Sequence, residues 1–305
     1  MERVPSIVFG TLCFIWGSTW LGIKVGLDYL PPFLFAGIRF AVASMVLVFL
    51  VRFLNARIPR DRSSWIVMIF LGIFQISLPY GLVYWGEQYI SSGLSAVLFA
   101  TLPFFVAIIA HIVIKTEMLT RRKILGAIIA FLGLAVIFWR DLASMQGSIM
   151  QPSLPLLGSL AVVGSAASGA LANVVAKKYA SRIDPPANVF VQSVIGTGCL
   201  SFVGLITERG VPLKWFPPAI ASVLYLGVVG SALAFVGLYW LLTKTSATNS
   251  SLIVFVTPIV ALLLGWMILR EGLEPVLAVG TVLILSGVYL TVTQSKIEQV
   301  RDSEK

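Results

Sequence analysis

Residues 71–85 read LGIFQISLPYGLVYW, and residues 226–240 read LGVVGSALAFVGLYW. The two stretches share a Leu-Gly pair at the start and a Tyr-Trp pair at the end, and they lie 155 positions apart in the numbering. Further along, a proline, a glutamate and two glycines recur with the same offset to within one residue: Pro103, Glu117, Gly126 and Gly133 match Pro258, Glu271, Gly280 and Gly287. The second half of the chain therefore repeats the first.

The composition indicates an integral membrane protein. Of the 305 residues, 58% are hydrophobic and only 11% are charged, whereas soluble domains carry about 25% charged residues. Cys13 and Cys199 lie inside apolar runs, so we expect them to pack as small hydrophobic side chains. No small-residue cleavage site follows the first apolar run, which predicts a retained first span. No metal or cofactor is implied.

Ten apolar segments are long enough to cross a bilayer as helices, for which roughly 20 residues are needed. They cover residues 4–24, 32–51, 64–85, 92–114, 123–139, 154–176, 187–207, 218–241, 247–269 and 275–294. The predicted fold is all-α, with a first repeat at residues 4–139, a second repeat at 154–294 and a charged cytoplasmic tail at 295–305. Because each repeat has an odd number of spans, the two would be inverted relative to each other, as in many secondary transporters.

Topology explains the net charge of +9. With ten crossings, sixteen Lys and Arg residues fall on the side of both termini and five on the other. The positive-inside rule then places the termini in the cytoplasm. This distribution removes the need for a nucleic-acid partner, and the short loops leave no room for an extramembrane domain. We therefore expect a multi-pass protein of a bacterial inner membrane.

Three groups of residues carry a resemblance to a known family. Span 1 reads FIWGSTW at residues 14–20 with Lys24 behind it, span 2 opens with Pro31-Pro32 and contains Arg39, and span 4 reads SGLSAVLFATLP at residues 92–103. Together with the glutamate and glycine spacing of both halves, these residues resemble the drug/metabolite transporter superfamily, and its EamA-type members in particular. The match covers nearly the whole chain as two tandem EamA units.

The resemblance implies ten helices in two inverted five-helix repeats that move small metabolites or drugs. It also implies a central cavity lined mainly by spans 1, 3, 4, 6, 8 and 9, with spans 5 and 10 used for packing or for a homodimer contact. One departure is informative. Related four-helix exporters place a drug- and proton-binding glutamate in span 1, but span 1 here offers Trp16, and span 6 offers Ser168 and Asn173. That chemistry of cation exchange for protons is therefore not expected.

Polar groups at membrane depth usually face the bundle interior or a wet cavity, because hydrocarbon does not solvate them. On this ground Gln75, Ser168 and Asn173 are candidates for the substrate pathway, with interhelical hydrogen bonding as the alternative. Trp16 lies near the middle of span 1, and we predict that it forms a wall or gate of the cavity, with a lipid-facing or core tryptophan as the alternative.

Aromatic residues recur in spans 3 and 8. Tyr80 and Tyr84 share a helix face, and Phe235 and Tyr239 repeat them. Since the repeats are expected to be inverted, the two clusters would form gate layers at opposite mouths of the cavity. The alternative is the belt of aromatic side chains at the membrane–water interface, which applies least to Tyr80 and Phe235, the deeper members.

Four ionisable residues are candidates for ion pairing or coupling: Lys24, Arg39, Glu87 and His111. Arg39 lies inside span 2 and needs a partner, which could be a carbonyl, Asp28 or a substrate carboxylate. Glu87 closes span 3 and could pair with Lys24, which could also snorkel outward. His111 invites a proton-coupling role, with a helix-end histidine near cytoplasmic solvent as the alternative.

Two prolines and two glutamates recur at the same places in the halves. Pro103 in span 4 and Pro258 in span 9 each remove a backbone hydrogen bond near mid-depth. They would give two equivalent hinges for alternating access. Glu117 and Glu271 precede spans 5 and 10, and we expect each to complement the dipole of the helix that follows it.

The sequence thus predicts a carrier that exports small polar metabolites by alternating access, with amino acids and related compounds as the leading class. An uptake carrier or antiporter for anionic metabolites of the nucleotide-sugar or sugar-phosphate kind is the alternative, and it predicts several basic residues in the cavity. An enzyme is not expected, because one histidine and no mid-span acid supply neither a catalytic pair nor a metal cluster.

Overall fold

The structure is a computed structural model that describes residues 3–114, 121–144, 153–180, 183–244 and 253–303. All regular elements in these ranges are helices, numbered here α1 to α10 in chain order. The uninterrupted helices are α1 (Arg3–Leu27), α2 (Pro32–Phe53), α5 (Arg121–Ser144), α6 (Leu154–Tyr179), α7 (Pro185–Thr207), α9 (Ile253–Leu269) and α10 (Pro275–Ser303). The others are composite: α3 (Arg62–Leu71, Gly72–Ser77, Leu78–Glu87), α4 (Ser92–Phe99, Leu102–Ile114) and α8 (Pro217–Leu224, Tyr225–Leu233, Ala234–Lys244).

Local sequence sets several helix starts. Proline is pre-organised for the first helical turn and lacks an amide hydrogen that would be unpaired there. Accordingly, α2, α7, α8 and α10 begin at Pro32, Pro185, Pro217 and Pro275. At the start of α6, the side chain of Ser153 accepts a hydrogen bond from the amide of Leu156, as an N-cap does.

Seven of the described helices, α1 to α4 and α6 to α8, are long and apolar enough to cross a membrane. The other three contain shorter apolar stretches, at Ile124–Ile137, Val256–Leu269 and Pro275–Leu290. The predicted class, an all-helical multi-pass membrane protein, is therefore confirmed. Membrane crossing by α5, α9 and α10, and with it the count of ten spans, stays a prediction from the sequence.

Helices of the two halves pack on one another in matching ways. α1 packs on α8 and α9, and α6 packs on α3 and α4, which are the counterparts of α8 and α9. α2 packs on its own counterpart α7, and α5 packs on α10. If each helix is replaced by its counterpart in the other half, the pattern of contacts stays the same. Each of these contacts joins one half to the other, so the interface between the halves forms much of the interior.

The contact between α5 and α10 explains the repeated glycine spacing. A Cβ built at Gly133 would lie 2.8 Å from the carbonyl oxygen of Gly280, and a Cβ built at Gly287 would collide with the carbonyl of Gly126. The four glycines therefore let the two backbones touch, as small residues do between membrane helices. Since these faces are used within the chain, a homodimer through α5 and α10 would need their other faces.

The largest buried cluster surrounds α2. Its Phe35 and Phe40 are fully buried and pack with residues of α7 and α8, including Leu200 and Leu226. Arg39 lies on the same helix between these aromatic residues and is only 2% exposed. The fold thus holds one guanidinium group in the interior, between the halves.

Candidate substrate site between the repeats

Two π-helical segments interrupt α3 and α8 at matching positions. They cover Gly72–Ser77 and Tyr225–Leu233, and so fall in the stretches that repeat most clearly in the sequence. A π-helical turn holds more residues than an α-helical turn and disturbs the usual backbone pairing, and such turns are common at functional sites. The sequence interpretation did not identify them.

A glycine near the start of each π-helical segment permits close contact with a neighbouring helix. A Cβ built at Gly72 would lie 2.7 Å from the side chain of Ile195 in α7, and one built at Gly227 would lie 2.7 Å from Val42 in α2. The Leu-Gly pair that both halves share is the signal that could have marked these positions.

The first helix of each half donates a hydrogen bond to the π-helical segment of the other half. Nε1 of Trp16 in α1 donates to the carbonyl oxygen of Gly230 over 3.3 Å. Oγ of Ser168 in α6 donates to the carbonyl oxygen of Phe74 over 2.9 Å. These two predicted pathway residues therefore occupy equivalent places. Gln75, a third, belongs to the first π-helical segment, and its side chain is half-buried.

Arg39 is held by uncharged groups from both halves. Its Nε donates to Oγ of Ser231 in α8 over 3.1 Å, and its Nη1 donates to the hydroxyl of Tyr84 in α3 over 3.2 Å. Its guanidinium carbon lies 4.9 Å from the centroid of the Tyr80 ring, a cation–π distance. Neither hydrogen bond is made with Asp28 or with a carbonyl, the two protein partners considered from the sequence. The site therefore keeps a positive charge next to neutral acceptors.

The aromatic candidates divide between two places. Tyr80 and Tyr84 of α3 lie against Arg39 and pack edge-on against Phe40 and Phe35 of α2, at ring-centroid distances of 4.6 Å and 5.0 Å. Tyr84 is fully buried, which an interfacial belt position does not predict.

In the second half, the ring of Phe235 lies 6.2 Å from that of Trp16. The side chain of Tyr239 lies outside the described part of the structure. The repeat-related aromatic residues thus contact different neighbours, Arg39 in one case and Trp16 in the other.

Lys24 and Glu87 meet, but through the main chain. Nζ of Lys24 donates to the carbonyl oxygens of Glu87 and Ile90 over 2.6 Å and 2.8 Å. The ammonium group therefore satisfies carbonyls at the end of α3, where a cation also complements the helix dipole. The carboxylate of Glu87 is fully buried, and neither of its oxygens has a hydrogen-bond partner within the described residues.

Two glutamates of the second half cap helices of the first, which the sequence interpretation missed. The carboxylate of Glu208 accepts hydrogen bonds from the amides of Phe33 and Leu34 at the start of α2, over 2.8 Å and 2.9 Å. Glu271 accepts from the amide and hydroxyl of Ser92 at the start of α4, over 2.8 Å and 2.9 Å.

The expectation that Glu271 complements the dipole of α10 was therefore wrong, because its side chain turns to α4. Gly265 makes room for this turn, since a Cβ there would collide with the carboxylate of Glu271. Glu117, its counterpart in the first half, lies outside the described residues.

The remaining candidates lie apart from Arg39 or differ between the halves. Asn173 and His111 have exposed side chains, on α6 and near the end of α4. Pro103 follows a break in α4 at residues 100–101, whereas Pro258 lies inside the continuous helix α9. The two prolines thus sit in different local structures, and their role as hinges stays a prediction.

The described ranges contain no cluster of three His, Cys, Asp or Glu side chains that could hold a metal ion. What they do contain is a buried cation, aromatic rings and main-chain carbonyls, arranged where the two halves meet. A site of this kind at the interface of two repeats is typical of membrane transporters.

Comparison with known proteins assigns the family. The model of the EamA-like transporter family matches residues 6–139 and 156–293, so the chain belongs to this family. It is 30% identical to the transporter YoaV of Bacillus subtilis, described as uncharacterized, with 92% of this chain and 94% of the relative covered. It is also 30% identical to YvbV of the same organism, with 98% and 96% covered, and 24% identical to the protein PagO of Salmonella typhimurium, with 95% and 94% covered.

The fold also matches a solved crystal structure with a TM-score of 0.63 at 16% identity, over 97% of this chain and 99% of the other. At this identity the likeness concerns the fold alone. The resemblance derived from the sequence motifs is thus confirmed, and the protein is a multi-pass membrane transporter.

Proposed function

We propose that this transporter exports amino acids or related small metabolites by alternating access, and that Arg39 binds the substrate carboxylate. The observation that supports this proposal is the burial of a guanidinium group whose hydrogen bonds go to the hydroxyls of Ser231 and Tyr84. A buried cation without a counter-charge costs several kcal/mol. A carboxylate with two oxygens matches the planar donor fork of arginine and would remove this cost.

The position of Arg39 suits alternating access. One of its partners belongs to α3 and the other to α8, so its hydrogen bonds span the interface that would rearrange when the halves rock. The exchangeable pattern of contacts, with α1 on α8 and α6 on α3, supports inverted repeats related by a two-fold axis. The distribution of Lys and Arg supports cytoplasmic termini in an inner membrane.

Among the described residues, Arg39 is the one buried cation whose hydrogen bonds go to hydroxyls between the halves, and this favours a monocarboxylate over a phosphate ester. The alternative class, nucleotide sugars or sugar phosphates, carries two or more negative charges. Lys24 is the other basic residue that the sequence placed in the cavity, but its ammonium group is held by the carbonyls of Glu87 and Ile90. Homodimer formation through exposed faces of α5 and α10 is compatible with this function but not required for it.

The test compares the metabolites exported by cells that express the transporter and by empty-vector cells, using mass spectrometry of the medium. We expect one or a few carboxylate-bearing metabolites to accumulate outside. Arg39→Gln should lower this export by about tenfold or more, because a hydrogen-bonded charge pair is worth about 1.5–3 kcal/mol.

Arg209→Gln is the matched control, since Arg209 is exposed at the end of α7 and bonds the carbonyl of Leu205. Unchanged export by Arg39→Gln, or export of compounds that lack a carboxylate, would contradict the proposal.

A further inference from the structure

Glu87 is a buried acid that the proposed substrate site does not use. It is the last residue of α3, its side chain is 0% exposed, and neither carboxylate oxygen has a hydrogen-bond partner among the residues described. Glu208, which is also buried, and Glu271, which is half-buried, differ in this respect, since each accepts hydrogen bonds at a helix start. Glu87 is therefore the one that needs an explanation.

Close packing of the two halves buries Glu87. At the preceding residue, a Cβ built at Gly86 would lie 2.5 Å from the carbonyl oxygen of Gly158, so the backbones of α3 and α6 nearly touch. On the other side, Lys24 joins α1 to the turn after Glu87 through the carbonyls of Glu87 and Ile90. At this end of the bundle the helices therefore pack closely around Glu87.

The charged groups that interact with Glu87 belong to three different elements. Lys24 of α1, Arg39 of α2 and Glu271 of the turn between α9 and α10 all interact with it electrostatically. Each of the three is bonded elsewhere: Lys24 to carbonyls, Arg39 to hydroxyls and Glu271 to the start of α4. An ionised carboxylate in this position would be buried without a donor, which is unfavourable. The neutral acid removes that charge.

A metal cation explains the site less well than a proton does. Sodium would need several oxygen ligands around it, and it would be repelled by the cationic side chains of Lys24 and Arg39, which interact electrostatically with Glu87. A proton needs only the carboxylate itself. When water enters, the same two cations stabilise the ionised form, so the protonation state depends on whether water reaches the carboxylate.

We propose that Glu87 carries the proton that this transporter exchanges for its substrate. In the closed arrangement of α3 and α6, Glu87 is a neutral carboxylic acid. While α3 and α6 are apart at Gly86 and Gly158, the ionised carboxylate meets the outer water, and it binds a proton from that water as the two helices close. When the inner end opens, water that reaches the site at Arg39 accepts the proton, the O–H bond breaks, and the electron pair stays on the carboxylate. The proton thus moves inward as substrate moves outward. This coupling rests on the proposed alternating access, but the protonation of Glu87 does not.

Infrared spectroscopy tests the protonation without any substrate. The full-length protein is reconstituted in vesicles of phosphatidylethanolamine and phosphatidylglycerol at neutral pH. We expect the C=O stretching band of a carboxylic acid that lacks hydrogen bonds, shifted in deuterated water and lost in Glu87→Gln. The control Glu208→Gln should keep the band, because Glu208 is buried but accepts two amide hydrogen bonds as a carboxylate.

Absence of the band in the wild type, or its persistence in Glu87→Gln, overturns the proposal. If Glu87→Gln does not fold, the variant Glu87→Asp takes its place. The protein is then prepared with glutamate labelled with carbon-13 at its carboxyl group. An isotope-shifted band in the wild type that changes frequency in Glu87→Asp supports the assignment, and an unchanged band excludes it.

A transport measurement tests the coupling. The same vesicles receive a mixture of carbon-14-labelled amino acids with and without an imposed pH gradient. We expect gradient-driven accumulation by the wild type and by Glu208→Gln, and its loss in Glu87→Gln. Accumulation by Glu87→Gln equal to that of the wild type overturns the proposed coupling. If the wild type accumulates none of the label while the infrared band is present, the proposed substrate class is wrong and the protonated acid stands.

Discussion

Nε of Arg39 in α2 donates a hydrogen bond to Oγ of Ser231 in α8 over 3.1 Å, inside the second π-helical segment. The bond joins the only charged residue buried within α2 to the segment of the other half whose backbone pairing is irregular. Replacement of its acceptor therefore affects both the interface between the halves and the group that we propose to bind substrate.

Ser231→Ala should destabilise the protein by about 1–3 kcal/mol, because it leaves a buried donor without its acceptor. Ser44→Ala removes a hydroxyl that bonds the carbonyl of Phe40 in its own helix, and it should change stability by less than about 0.5 kcal/mol. Thermal unfolding in detergent measures both variants. Equal melting temperatures for the two would show that the bond between Arg39 and Ser231 contributes nothing.

Trp16→Phe and Ser168→Ala should slow transport to similar extents. Each removes a donor to a carbonyl of a π-helical segment while leaving a side chain that fits the space. Hydrogen bonds between membrane helices contribute about 0.6–1.7 kcal/mol. If the whole contribution stabilises the transition state between the inward-open and outward-open forms, its loss lowers the transport rate by about 3- to 20-fold.

The control for these two variants is Thr207→Val, since the hydroxyl of Thr207 bonds only the carbonyl of Val203 in its own exposed turn among the hydrogen bonds described. Export rates in cells with matched expression provide the measurement. A large fall in rate for one variant and none for the other would contradict the equivalence of the two hydrogen bonds.

Gly133→Ala should destabilise the pair α5 and α10. The added Cβ would lie 2.8 Å from the carbonyl oxygen of Gly280, a contact with backbone that no rotamer relieves. Overpacking of this kind costs about 1–3 kcal/mol. Gly198→Ala is the matched control, because nothing lies within 4 Å of a Cβ there and the change also occurs within a helix.

Thermal unfolding distinguishes the two glycine variants. Gly198→Ala should leave the melting temperature unchanged or raise it, since alanine favours helix over glycine. A melting temperature of Gly133→Ala equal to that of Gly198→Ala would contradict the close packing of α5 against α10.

The start of α3 should loosen at low pH. Asp61 caps this helix by accepting hydrogen bonds from the hydroxyl of Ser63 and the amide of Ser64, and these bonds lower its pKa from 3.8 to about 2. A lowered pKa means that the cap stabilises the folded state fully above pH 4. The stabilisation falls away as the pH drops toward and through about 2, where Asp61 takes up a proton.

Hydrogen exchange of the Ser64 amide, corrected for its intrinsic rate, measures this loss. The amide of Leu94 is the internal control, because its cap is the hydroxyl of Ser91, which does not titrate. Protection of Ser64 that parallels that of Leu94 down to pH 2 would contradict the role of Asp61.

Cysteine labelling should place residues 57 and 178 on the same side of the membrane. The main-chain amide of Arg57 donates to Oδ2 of Asp184 over 2.7 Å, so the turn before α3 and the turn before α7 lie at one end of the bundle. In a protein without Cys13 and Cys199, Arg57→Cys and Lys178→Cys should react from the cytoplasm and Arg209→Cys from outside. Labelling of 57 and 178 from different sides would end the inverted-repeat interpretation.

Much of the architecture could be predicted because it depends on local chemistry. The helix starts at Pro32 and Pro185 follow from the conformation of proline, and the membrane class follows from apolar length. The glycines that pair α5 with α10 were visible as a repeated spacing. The hydrogen bonds of Lys24 and Glu271 could not be predicted. Lys24 donates to main-chain carbonyls and Glu271 accepts at the start of α4, and the sequence does not show which main-chain groups will lie next to a given side chain in the folded protein.

The sequence by itself determined the class of this protein: two related halves, apolar helices, an arginine inside span 2 and a glutamate at the end of span 3. Only the tertiary structure decided what those charges contact. It set Arg39 between Tyr84 and Ser231, and it enclosed Glu87 beside the contact of Gly86 with Gly158. The physical reason is that apolar length and periodicity act along one helix, whereas the environment of a charge depends on helices that are distant in the chain and adjacent in space.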